Sequence, residues 1–122
     1  MSELQTEAPV TITLSPHDTS TSVSPLVLIA DADPASRLRR ARRLETRGFH
    51  VVFARTGFEA IVKASCHMPN VILVDESLGD DDVVGTTELL ATCPATAHIP
   101  VVRLGRGRRL PTRMLSSVVR HR

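Results

Sequence analysis

The 122-residue chain has no Trp, no Tyr and only three Phe, so whatever core it builds is aliphatic. Its two cysteines, Cys66 and Cys93, are too few for the disulfide framework of a small secreted domain. No apolar run approaches the ~20 residues that a membrane-spanning helix needs, and the polar N-terminus has no signal-peptide core. A cytoplasmic protein with no membrane partner is the expectation. No internal repeat is present. What remains is a length sufficient for one domain with its own core, and a hydrophobic content of 42%, ordinary for a soluble fold.

The formal net charge is only +2, but it is placed unevenly. Arg37, Arg39, Arg40, Arg42, Arg43 and Arg47 crowd one segment. Arg103, Arg106, Arg108, Arg109, Arg113, Arg120 and Arg122 crowd the tail, and Asp80, Asp81 and Asp82 form an acidic knot between the two. The first cluster suits nucleic acid or an acidic protein, or is simply the solvated face of a helix. With no aromatic interleaving and no recognition motif, sequence-specific DNA binding is not expected. The acidic knot reads as a solvated loop before it reads as a cation site. Pairing it with the basic tail would contribute about 0–1 kcal/mol per pair.

Residues 1–25 are rich in Ser, Thr and Pro and read as an N-terminal arm, within which Val10-Thr11-Ile12-Thr13-Leu14 alternates like a strand. Residues 26–122 form the domain. Leu26-Val27-Leu28-Ile29-Ala30 and Val71-Ile72-Leu73-Val74 are unbroken apolar runs, the pattern of strands buried on both faces. Shorter runs at Phe49–Ala54 and Ile99–Leu104 read the same way. Helical spacing lies between them. A helix capped by Asp33 with Pro34 at its first position, or started at Ser36, would turn Leu38, Ala41 and Leu44 inward and stop at Gly48. A second, Gly57 to His67, would bury Phe58, Ile61, Val62 and Ala64. After an acidic loop from Glu76 to Val84, a short helix from Gly85 to Thr92 would place Leu89 and Leu90 inward. A last helix from Leu110 would bury Met114, Leu115, Val118 and Val119. Strand alternating with helix specifies an α/β fold with a parallel sheet and helices on both faces.

Both long runs end on an acid, Asp31 and Asp75. Ligands of such sheets gather outside the carboxyl ends of the strands. Carboxylates converging there repel one another unless a hard cation such as Mg²⁺ neutralises them, and an Asp beside that ion can attack a phosphoryl group.

Leu26 to Pro34 (LVLIADADP), Pro69 to Asp75 (PNVILVD), Ile99-Pro100-Val101-Val102, Gly48 to Val51 and Thr56 to Ala60 together resemble a response-regulator receiver domain over about residues 26–104. The resemblance implies a doubly wound, flavodoxin-like sheet and a non-enzymatic signalling role. It makes Asp75 the phosphoacceptor and sets Asp75, the carbonyl of Ser77 and, through water, Asp31 around Mg²⁺. The family's acidic pair falls on Asp31 and Ala32, so Ala32 replaces an expected acid; Asp33 is the nearest substitute. Gly105 stands where a phosphoryl-sensing hydroxyl is expected, and no Lys follows Lys63. Only 17 residues follow Gly105, so the family's fourth helix and fifth strand are expected to be missing. By the same resemblance the first helix, with Arg37, Leu38 and Arg40, would dock a histidine kinase or phosphotransfer protein.

The fourth strand would then be a bare hydrophobic edge, an invitation to association. Residues 10–14 are expected to cover it, from the same chain or across a homodimer. Cys66, His67, Cys93 and His98 lie at the opposite edge of the sheet and are a conceivable zinc set without a standard spacing. The functional expectation is a stand-alone, atypical receiver working by protein–protein contact, with either a working acceptor at Asp75 or none. The alternatives are a small basic nucleic-acid-associated protein and a metal-dependent phosphatase.

Overall fold

The computed structural model describes residues 24–105 and Leu115. The two apolar runs form its centre as β1 (Leu26–Ala30) and β3 (Val71–Asp75). Every residue of β3 and four of the five in β1 are buried, which an unbroken apolar strand requires. β2 (His50–Ala54) and β4 (Val101–Leu104) flank them in the order β2-β1-β3-β4. All pairings are parallel, with Leu28 opposite both Val52 and Ile72, and Ile72 opposite Val101. This is the strand order of a flavodoxin-like doubly wound sheet, the class expected from the sequence. Its direction reverses between β1 and β3, where such sheets bind their ligands.

Alternate strand residues point to opposite faces. Leu28, Ala30, Ile72 and Val74 pack with Ala60, Ala64, Val83 and Leu90. Val27, Ile29, Val71 and Leu73 pack with Leu44, Phe49, Leu104 and Leu115. Helices α2 (Gly57–His67) and α3 (Asp80–Thr92) therefore cover one face, and α1 (Pro34–Glu45) covers the other beside the helical residue Leu115. Asp33 caps α1, its Oδ1 accepting from the Ala35 N–H at 3.1 Å, and Pro34 occupies the first turn. The chain leaves α1 through Gly48 at φ +95°, a conformation side chains resist.

The helical faces match the sequence expectation in part: Ala41, Leu44, Ala64 and Leu90 are buried as expected. Leu38, Phe58, Val62 and Leu89, all assigned inward, point out, Phe58 being 77% exposed. The inward residues are Ser36, Arg40, Ala41 and Leu44 on α1, and on α2 the small Gly57, Ala60 and Ala64. Small residues let the helices come close. A Cβ on Gly57 would lie 2.0 Å from Thr86 Oγ1 of α3. The acidic loop is also corrected. Glu76–Leu78 is one 3-10 turn, and Asp80, Asp81 and Asp82 form the first turn of α3, where the helix dipole favours negative charge.

β4 is an outer strand of the described sheet. Residues 10–14, expected to cover its edge, lie outside the described residues. So do the arginines beyond Gly105 and the stretch on which a missing fourth helix and fifth strand would be judged. No described helix is long and apolar enough to cross a membrane.

Candidate functional site

β1 and β3 deliver Asp31 and Asp75 to the same end of the sheet, and both are buried, at 0% and 4% exposure. Between them lies a cation supplied by α1. Arg40 Nη1 donates to Asp31 Oδ2 at 3.1 Å and to Asp75 Oδ1 at 2.6 Å. The other two carboxylate oxygens are also bonded. Asp31 Oδ1 accepts from the Asp33 N–H at 2.9 Å and from Ser77 Oγ at 2.8 Å. Asp75 Oδ2 accepts from the Ser77 N–H at 2.9 Å. Ser77 Oγ in turn accepts from the Ala32 N–H, tying the 3-10 turn after β3 to the loop after β1. Arg37 braces the same loop, donating from Nη1 to the Asp31 carbonyl at 2.9 Å with its guanidinium 6.0 Å from the Phe53 ring centroid.

Burial pushes the Asp75 carboxyl up, the largest single influence on it. The hydrogen bonds from Arg40 and Ser77 and the charge of Arg40 together outweigh burial, and the group ends below its ordinary 3.8. The native state therefore binds the Asp75 proton less readily than the unfolded chain does. Asp75 contributes stability that is whole above pH 3.8 and is lost as the pH falls below it, through the lowered folded value. Urea midpoints measured from pH 5 down to 2 are expected to fall less steeply for Asp75→Asn than for the wild type. Equal slopes would remove Asp75 from the acid response.

The sequence set for Mg²⁺ was Asp31, Asp33, Asp75 and Ser77. The structure brings Asp31, Asp75 and Ser77 together and commits Asp33 elsewhere, as the cap of α1. Ala32 supplies no carboxylate. Mg²⁺ demands an octahedron of oxygens. Here the oxygens that face one another are turned onto a guanidinium, and no group of three or more His, Cys, Asp or Glu side chains among the described residues could hold a metal ion. The residues present do not fit the divalent ion that the resemblance implied. The zinc set is not formed either: Cys66 is exposed, Cys93 is partly buried, and both are free. Gly105 follows β4 directly and brings no hydroxyl to this end of the sheet.

Arg40 was expected on the docking surface; it is buried and belongs to the acid site instead. The sequence did hold a signal for it. Ser36, Arg40, Ala41 and Leu44 form one stripe at helical spacing, and small neighbours leave room for a long side chain. Reading Arg as polar, and therefore outward, placed Leu38 on the buried face where Arg40 and Ser36 lie beside Ala41 and Leu44.

No family model matches the chain. It is 35% identical over 89 residues to the acid tolerance regulatory protein ActR of Sinorhizobium medicae, matching 73% of this chain and 38% of that protein. The chain thus spans little more than a third of that relative's length. Among solved structures it resembles the N-terminal domain of a response regulator receiver protein from Methanoculleus marisnigri, at 26% identity and a TM-score of 0.63 over 76% of each chain. It also has the fold of the receiver domain of a histidine kinase from Syntrophus aciditrophicus, with a TM-score of 0.66 at 19% identity over 80% of this chain and 89% of that one. With its strand order and its two acids at the carboxyl ends of β1 and β3, the chain has the receiver-domain fold and is similar to response-regulator receiver proteins.

Proposed function

We propose that this receiver domain signals through protein–protein contact, with Asp75 withheld from phosphoryl transfer. The observation that carries this reading is the Arg40 bridge. An Asp nucleophile needs a free lone pair facing the phosphorus and a cation to gather the transferring oxygens. Asp75 Oδ1 is held by Arg40 at 2.6 Å, Oδ2 by the Ser77 N–H, and the side chain is 6% exposed. Ala32 and Gly105 support the same conclusion by the groups they lack.

The contact surface proposed is the outer face of α1. Arg39, Arg42 and Arg43 are exposed there, followed by Arg47, and Leu38 is half exposed among them. An acidic partner, such as a histidine kinase, a phosphotransfer protein or another signalling protein, would suit that face by charge steering.

Incubation with Mg²⁺ and acetyl phosphate, read out by intact mass, tests the withheld acceptor. The expected result is an unchanged mass. An adduct on the wild type that disappears in Asp75→Ala would restore Asp75 as a working phosphoacceptor and make the domain a phosphorelay element.

A further inference from the structure

Two buried carboxylates converge on one nitrogen. Asp31 Oδ2 and Asp75 Oδ1 both accept from Arg40 Nη1, at 3.1 and 2.6 Å, and the Arg40 side chain is only 10% exposed. Like charges brought together in a low dielectric must be neutralised, by protonation or by a cation. Here the cation is covalently part of α1. It reaches the carboxyl end of the sheet from the inward face of the helix, which it shares with Ser36 and Ala41.

We propose that Arg40 is the resident counter-cation of this receiver: its guanidinium stands in the place of a divalent ion, and the closed, metal-free site is the ground state. This accounts for a buried acid pair in a site where Ala32 offers no metal ligand and Asp33 caps α1. All four carboxylate oxygens are satisfied without a metal. An entering Mg²⁺ would have to expel a guanidinium that is buried and has its partners here, so the wild type gains nothing from the ion. Removing the guanidinium alone leaves a doubly negative pocket that Mg²⁺ can fill.

The inference deepens the reading above, and its test separates the two. Thermal midpoints are compared in EDTA and in 10 mM Mg²⁺ for the wild type, Arg40→Met and Arg40→Met/Asp75→Asn. The wild type is expected to shift by less than about 1 °C on adding Mg²⁺. Arg40→Met is expected to melt about 15 °C lower in EDTA and to recover about 5 °C in Mg²⁺, as a millimolar site would. The double variant, with one carboxylate gone, should lose the Mg²⁺ response. A wild type stabilised by Mg²⁺ as strongly as Arg40→Met overturns the proposal. So does an Arg40→Met protein that ignores Mg²⁺ or stays unfolded at every concentration of it, because one cation should replace another.

A measurement on the folded wild type guards against misfolded variants. Mn²⁺ should leave the Ala32, Asp33 and Ser77 amide resonances sharp, and selective broadening of these contradicts the counter-cation. Broadening without a phosphoryl adduct would sink the counter-cation and leave the signalling reading intact. An adduct would sink that reading instead.

Discussion

Replacing Arg40 by Met is expected to cost about 3–5 kcal/mol, because it leaves Asp31 and Asp75 buried without their cation. Methionine keeps much of the side-chain volume, so the loss reports charge and hydrogen bonding more than a cavity. The sharper result is a reversal of sign. In the wild type, Asp75→Asn breaks a charge-assisted bond to Arg40 and is expected to destabilise. In the Arg40→Met background the same change removes one of two repelling charges, and an Asn amide can donate toward Asp31 Oδ2. There it is expected to stabilise. Urea unfolding of the four proteins gives the coupling directly. A destabilising Asp75→Asn in both backgrounds would mean that the three groups are not one electrostatic unit.

The second large effect belongs to the core. Leu28 is fully buried at the centre of the sheet, facing α2 and α3. Truncation to Ala is expected to cost about 2–5 kcal/mol. Phe58→Ala removes a larger side chain, yet Phe58 is 77% exposed, and the cost should stay within about 0.5 kcal/mol. Urea midpoints of the two variants decide whether α2 is oriented as described. A loss of several kcal/mol at Phe58 would show that its ring is buried.

That contrast also marks what was legible in the residues. β1 and β3 could be read because a continuous β-branched and aliphatic run has few other places to go than a doubly covered parallel strand. Asp33 could be read as a cap because its side chain supplies the bond a first helical turn lacks; Thr56 caps α2 in the same way without having been singled out. The helix phases could not be read by hydrophobicity alone. α2 presents Gly57, Ala60 and Ala64 to the sheet, since close approach there matters more than side-chain size, and Phe58 is left outside.

The acid site was half legible. Asp31 and Asp75 announced themselves by ending the two central strands. Ser77 was expected to act through its carbonyl, but its N–H and hydroxyl do the bonding seen here. Arg40 was lost among arginines whose neighbours are solvated. Its distinction is three-dimensional: it lies on the face of α1 turned to the sheet and there reaches both acids. The same placement explains the other departures. With a cation supplied by α1, an acid at position 32 has no ion to hold, and Asp33 is free to cap α1.

The most direct measurement is a crystal structure grown with millimolar Mn²⁺ and recorded at the manganese edge. The expected map shows Arg40 Nη1 between Asp31 and Asp75 and no anomalous peak at the carboxyl ends of β1 and β3. An anomalous peak bridging the two carboxylates, with Arg40 turned away, would contradict the account.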